Sequence, residues 1–114
     1  MPTIYHNPRC SKSRATLALI EEKGVEPEVI EYLKAPLEQT VLRDIIEMLG
    51  VSPRDLLRTG EDEYKQLNLD NPELSDEKII QIICAHPILL QRPIVVNGDK
   101  ARIGRPPESV LEII

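Results

Sequence analysis

The chain has 114 residues, of which 41% are hydrophobic and 29% charged, a composition typical of one globular domain with its own core. The formal net charge of −5 argues against a nucleic-acid-binding protein, because such proteins need a clustered basic face. No signal peptide is recognisable and no apolar run approaches the ~20 residues of a membrane span, so we expect a cytoplasmic protein without a membrane partner.

The first third of the chain is predicted to fold as strand, helix and strand. Residues 2–6 are a β-prone run that ends at the turn signal Asn7-Pro8. Residues 11–23 carry apolar side chains near helical spacing, with Gly24 as a stop, and residues 28–32 resemble a short half-buried strand. This order predicts two parallel strands with a right-handed connection.

The middle of the chain, about residues 36–88, is predicted to be a helical insertion. A helix is expected at residues 40–49 with Gly50 as its stop, followed by a short turn that Ser52 caps. Residues 60–69 suggest a helical turn or irregular cover, and a further helix opens at Ser75 and ends near His86-Pro87.

The last quarter returns to β-structure. Residues 93–96 and 101–103 predict a hairpin whose two-residue turn is Asn97-Gly98 or Gly98-Asp99, and a helix from Pro107 to about residue 113 follows. The whole order predicts an α/β fold of the thioredoxin-like kind in a single domain, residues 1–114. Its mixed four-stranded sheet would have the helical insertion between a β-α-β half and a β-β-α half.

Cys10 lies between the first strand and the first helix, in a cationic setting. The N–H groups of a first helical turn lack intrahelical acceptors, and the partial positive charge there stabilises an anion. Arg9, Lys12 and Arg14 add cations nearby, and such surroundings lower the pKa of a cysteine from ~8.5 to ~3.5–7.5. We therefore interpret Cys10 as a thiolate nucleophile, the alternative being a small buried hydrophobic residue.

Two neighbours complete the candidate catalytic group. Ser13 stands where a Cys-x-x-Cys pair would have its second thiol, and its hydroxyl could donate to the sulfur. His6 closes the first strand and suits proton transfer or ordering of the loop, although a solvated or core ring is equally consistent. Cys84 continues an apolar helix face and is interpreted as a core residue, so an oxidised Cys10 would need an external thiol.

Three arginines are candidates for binding an oxyanion. Arg58 ends a helical turn, Arg92 precedes Pro93 at the start of the third strand, and Arg105 follows the hairpin. A planar guanidinium binds a tetrahedral oxyanion through two N–H groups, better than a lysine does. In a thioredoxin-like fold Arg92 is expected to reach Cys10, while each arginine taken singly is more often a surface residue.

Four motifs in the same order resemble the glutaredoxin-coupled arsenate reductases of the ArsC type, which include Spx-like relatives, over essentially the whole chain. The motifs are Tyr5-His6-Asn7-Pro8-x-Cys10-x-x-Ser13-Arg14, Leu57-Arg58-Thr59, Arg92-Pro93-Ile94 and Ile103-Gly104-Arg105-Pro106, where x is a position outside the motif. The resemblance implies a catalytic Cys10 whose thiolate His6 helps to hold. It implies that the oxyanion-binding residues are Arg58, Arg92 and Arg105. Arg14 and Pro93 would support the site, the latter through a cis peptide bond.

The resemblance also implies a mechanism. The Cys10 thiolate would attack arsenate, glutathione would then attack the adduct as a co-substrate, and glutaredoxin would remove it as a mixed disulfide while arsenite leaves. No metal and no bound cofactor are implied.

Two alternatives share the fold. An Spx-like regulator that binds RNA polymerase usually has a second Cys at the position of Ser13 and needs no complete anion pocket, so both features favour the reductase. A thiol oxidoreductase of unknown substrate is the other alternative.

Overall fold

A mixed four-stranded sheet organises the computed structural model, which describes residues 1–91 and 93–114. The strands are β1 (Thr3–His6), β2 (Glu28–Glu31), β3 (Ile94–Asn97) and β4 (Lys100–Ile103), in the order β2-β1-β3-β4. β1 is parallel to β2 and antiparallel to β3, and β3 is antiparallel to β4. This arrangement confirms the predicted α/β, thioredoxin-like sheet, including its parallel first pair.

The β3–β4 hairpin closes through one of the two turns that the sequence allowed. Asn97 pairs with Lys100, so Gly98 and Asp99 form the two-residue loop. Gly98 has a φ of 64°, in the left-handed region that glycine adopts without steric cost. By the strand register, this turn lies at the end of the sheet where β1 begins, opposite to the end where β1 leads into Cys10.

Helix α1 (Ser11–Glu22) connects β1 to β2, and Gly24, with a φ of 78°, follows its end as predicted. Its buried face consists of Ser13, Thr16 and Ile20. These positions have the i, i+3, i+7 spacing of one helix face, yet two of the three side chains are polar. The hydroxyls are satisfied locally, and Thr16 Oγ1 donates to Lys12 O at 2.7 Å.

The core around the sheet joins both ends of the chain. The buried cluster contains Ile4, Ile20, Val95, Val110 and Ile113. The last two lie in or beside a C-terminal 3-10 helix, Pro107–Glu112, which packs against α1. The predicted C-terminal helix is therefore present, in the tighter 3-10 form that suits a short segment.

The chain divides into two compact units, Met1–Ala35 with Arg92–Ile114, and Pro36–Gln91. The second unit contains α2 (Gln39–Leu49), α3 (Asp62–Gln66), α4 (Asp76–Ala85) and two 3-10 helices, Pro53–Leu56 and Pro87–Leu89. Helices α2 and α4 pack against each other through aliphatic side chains, and the exposed Arg43–Glu77 ion pair joins them at 2.6 Å. Within the described part of the chain, every helix is too short or too polar to cross a membrane.

Candidate active site around Cys10

Cys10 is the N-cap residue of α1. Its backbone is extended (φ −93°, ψ 123°), its carbonyl accepts the Arg14 N–H at 3.0 Å, and its own N–H donates to Asn7 O at 3.0 Å. The Cys10 side chain does not accept a capping hydrogen bond from the first turn of α1, and that turn has no acidic residue. The positive end of α1 therefore lies beside the half-buried Cys10, a position that favours an anion.

His6 and Ser13 are brought into direct contact. His6 Nδ1 lies 2.7 Å from Ser13 Oγ, and the Asn7 N–H donates to the same oxygen at 3.0 Å. Ser13 is fully buried and His6 is 6% exposed. These bonds tie the end of β1 to the first turn of α1, so they fix the loop that carries Cys10.

Asn7 is a loop residue for which the sequence predicts only a turn. Its buried side-chain Oδ1 accepts the Arg9 N–H at 3.0 Å, and its backbone binds both Ser13 and Cys10. A turn in which an Asn side-chain oxygen accepts the backbone N–H of residue i+2 is an Asx turn. An Asn before Pro is its sequence signal. Asn7 thus organises the loop with three hydrogen bonds.

The His6 imidazole is held in its neutral form. Burial lowers the pKa of His6 and the Arg14 guanidinium lowers it further, while the Glu31 carboxylate on the paired strand opposes both. Because a neutral ring carries no fixed charge, His6 acts on the Cys10 loop through its hydrogen bond to Ser13. Arg14 supplies the cation instead, and its guanidinium donates to Pro8 O at 2.9 Å.

Gly104 sets the place of the Arg105 loop against α1. The Gly104 N–H donates to Pro93 O at 2.9 Å, and a Cβ at Gly104 would lie 2.5 Å from Thr16 Oγ1 and 2.7 Å from Pro93 Cγ. Only glycine fits this approach. The buried Pro93 and the exposed Arg105 therefore flank a tight contact with the buried face of the helix that begins after Cys10.

The other predicted site residues lie farther along the chain. A cis peptide bond joins Arg105 to Pro106, whereas Arg92 and its bond to Pro93 lie outside the described residues, so the predictions on that bond and on Arg92 stay predictions. Arg58 belongs to the unit Pro36–Gln91. There its N–H donates to Leu89 O at 2.8 Å.

The unit Pro36–Gln91 also contains the side chains of Arg58 and Cys84. The Arg58 guanidinium lies 3.5 Å from the Glu61 carboxylate, and both side chains are 23% exposed. Cys84 is half-buried, where the sequence suggested a core position. Burial raises the pKa of its thiol, with a smaller opposing effect from Arg43. A thiol with a raised pKa stays protonated near neutral pH, so Cys84 is a poor nucleophile there.

Comparison with known proteins identifies the family. The ArsC family model matches residues 5–113. The uncharacterized protein YfgD of Escherichia coli K12 is 58% identical over 97% of this chain and 94% of that protein. The arsenate reductase of Haemophilus influenzae is 52% identical over 97% of each. The solved structure of an arsenate reductase from Vibrio cholerae, 47% identical, covers 99% of this chain and 97% of its own with a TM-score of 0.97. The chain belongs to the ArsC family.

Proposed function

We propose that this protein reduces arsenate to arsenite with Cys10 as its nucleophile. The observation that carries the proposal is the position of Cys10 as the N-cap residue of α1, with Arg9, Lys12 and Arg14 within four residues and no acid in the first turn. A thiolate and an oxyanion are both favoured at such a helix end. Relatives that carry the name arsenate reductase are 44–52% identical over nearly the whole chain, which supports the choice of oxyanion.

The proposed reaction uses two thiols for each arsenate. The Cys10 sulfur forms a bond to arsenic(V), and one arsenate oxygen leaves as water. A second thiol then attacks the Cys10 sulfur, so that a disulfide forms while the sulfur–arsenic bond breaks and its electron pair stays on arsenic. Arsenic is thereby reduced to arsenic(III), two thiols are oxidised to one disulfide, and another thiol exchange regenerates Cys10.

The second thiol is proposed to come from outside the chain. Ser13 occupies the position that a local resolving cysteine would take, and its buried hydroxyl is committed to His6 and Asn7. We propose glutathione as this thiol and glutaredoxin as the protein that removes it from Cys10. Both require a reduced thiol pool, which the cytoplasm supplies.

The arginines are proposed to bind and neutralise the oxyanion. Guanidinium groups form paired, charge-assisted hydrogen bonds with tetrahedral anions. Arg58, Arg92 and Arg105 fill this role in the proposal. Arg105 is exposed on a loop that Gly104 holds against α1. The Arg58 guanidinium has Glu61 as its partner at 3.5 Å, a pair exposed enough to exchange for a bound anion.

The test is arsenate-dependent NADPH oxidation coupled through glutathione, glutaredoxin and glutathione reductase. We expect turnover in the native protein and in Cys84→Ser, and none above background in Cys10→Ser. Arg105→Ala, Arg92→Ala and Arg58→Ala should each raise the KM for arsenate. If Cys10→Ser matched the native protein, the proposed function would be wrong. Turnover that persisted unchanged in all three arginine variants would instead place the anion elsewhere.

A further inference from the structure

A cavity of about 270 Å³ opens beside the Cys10 loop, at the end of the sheet where β1 and β2 finish. Its lining residues come from the β1–α1 loop and from the segment that follows β2. They are His6, Asn7, Pro8, Arg9, Glu31, Leu33 and Lys34. The volume is near the ~300 Å³ at the lower end of small-molecule sites, so the cavity suits a small ligand. None of the roles proposed above for Cys10 or the three arginines uses it.

The charges of the cavity define its ligand. Arg9 and Lys34 supply two cations and Glu31 supplies one carboxylate, while His6 is held neutral by burial. The wall is therefore net positive on a protein of formal charge −5. A ligand that matches these groups one for one has two carboxylates and one ammonium group.

The internal ion pair of the cavity is weak enough to exchange. Lys34 Nζ lies 3.5 Å from Glu31 Oε1, and the two side chains are 81% and 40% exposed. Such surface pairs contribute little to stability, so a ligand can separate the two side chains and bind both at small cost. The exposed Leu33 adds an apolar contact beside the two charges.

The cavity is lined by the loop that leads into Cys10. Asn7, which lines it, accepts the Cys10 N–H through its backbone carbonyl, and Arg9 precedes Cys10 in the chain. A ligand there would contact two residues that precede Cys10 in its loop, the cysteine that must receive an external thiol. Position and charge together point to a thiol that also carries the two carboxylates and the ammonium.

We propose that this cavity binds the external thiol of the reaction, as a small zwitterionic thiol peptide of the glutathione type. Arg9 and Lys34 bind its carboxylates, Glu31 binds its ammonium, and its sulfur is directed at the Cys10 sulfur. The inference deepens the proposed function and rests on it for the identity of the reaction. The bond that forms is the disulfide between the two sulfurs, and the bond that breaks is the one from Cys10 to arsenic.

Binding is tested without any reaction by titrating S-methylglutathione, whose sulfur is blocked, into the full-length protein. Isothermal calorimetry gives the affinity, and amide NMR shifts locate the site. We expect saturable binding with shifts at Asn7, Arg9 and Leu33. Lys34→Glu should weaken it by about tenfold or more, because a charge-assisted contact becomes a repulsion. S-methylcysteine, with a single carboxylate, should bind more weakly.

Lys100→Glu is the matched control, because it reverses another exposed lysine at the opposite end of the sheet. It should bind S-methylglutathione like the native protein. Absence of saturable binding, or equal weakening by both substitutions, would overturn the inference.

Kinetics separate this inference from the proposed function. In the coupled arsenate assay, Lys34→Glu should raise the KM for glutathione and leave the KM for arsenate unchanged. Arsenate turnover with an unchanged glutathione KM would overturn the cavity assignment and leave the reductase standing. Lys34-dependent binding of S-methylglutathione without arsenate turnover would support the thiol site and remove arsenate as the substrate.

Discussion

Ser13 Oγ lies 2.7 Å from His6 Nδ1, and this contact joins the last residue of β1 to the first turn of α1. The same oxygen accepts the Asn7 N–H, so one hydroxyl is hydrogen-bonded to two consecutive residues at the start of the loop that leads to Cys10. Where a dithiol site would have its second sulfur, this chain has a residue that orders the backbone. The loop is therefore preorganised by buried hydrogen bonds from Ser13.

Replacing Ser13 by Ala should destabilise the fold. The substitution leaves the buried Asn7 N–H and His6 Nδ1 without a partner, and an unsatisfied buried polar group costs about 1–3 kcal/mol. Urea unfolding followed by circular dichroism measures the change. Ser11→Ala, at an exposed position two residues earlier in the same helix, is the control. Its stability should stay within about 0.5 kcal/mol of that of the native protein. Equal stability of Ser13→Ala and the native chain would contradict the bonding role of Ser13.

The neutral His6 predicts a pH dependence of stability. Its folded-state pKa lies below the ordinary value of 6.5, so the unfolded chain binds the proton more readily. The contribution of His6 is thus fully present above about pH 6.5 and is lost as the pH falls through the folded pKa. Urea unfolding between about pH 5 and pH 8 should show this loss in the native protein but not in His6→Gln. A constant difference between the two proteins across the range would argue against a lowered His6 pKa.

The two cysteines should titrate far apart. In Cys84→Ala, the remaining Cys10 should show thiolate absorbance with a midpoint below the ~8.5 of a free cysteine, because it caps a helix among cations. In Cys10→Ser, the remaining Cys84 should titrate above its ordinary range, because burial raises its pKa. Iodoacetamide at neutral pH should accordingly label Cys10 first. An unshifted Cys10 midpoint would remove the helix-terminus argument for its reactivity.

The fold was largely predictable because its elements have local signals. The predicted and observed bounds of strands and helices agree to within about one or two residues wherever a turn residue such as Gly24, Gly50 or Pro53 lies at the boundary of an element. The buried face of α1 was harder to predict, since it carries Ser13 and Thr16 while Ala15 and Ala18 are exposed. Apolar spacing cannot identify a face whose polar groups are satisfied by hydrogen bonds.

The candidate site was predictable where its residues are contiguous in sequence. Cys10, His6 and Ser13 lie within eight positions, and their loop geometry follows from a strand that leads directly into a helix. The roles of Asn7 and Gly104 were not predicted, because one depends on backbone hydrogen bonds and the other on close tertiary packing. Such contacts join segments that no local pattern relates.

Gly104 provides the sharpest test of how the Arg105 loop is held. Gly104→Ala places a methyl 2.5 Å from Thr16 Oγ1 and 2.7 Å from Pro93 Cγ, so helix α1 and the loop must separate. Overpacking of this kind costs about 1–3 kcal/mol, and displacing Arg105 should also raise the KM for arsenate. Gly60→Ala is the control, since a Cβ there meets nothing within 4 Å. Adding Thr16→Ala removes two of the three crowded atoms, so the double variant should lose less stability than the sum of the single variants. Strict additivity would mean that the two residues do not press on each other, and that Gly104 is required for some reason other than this contact.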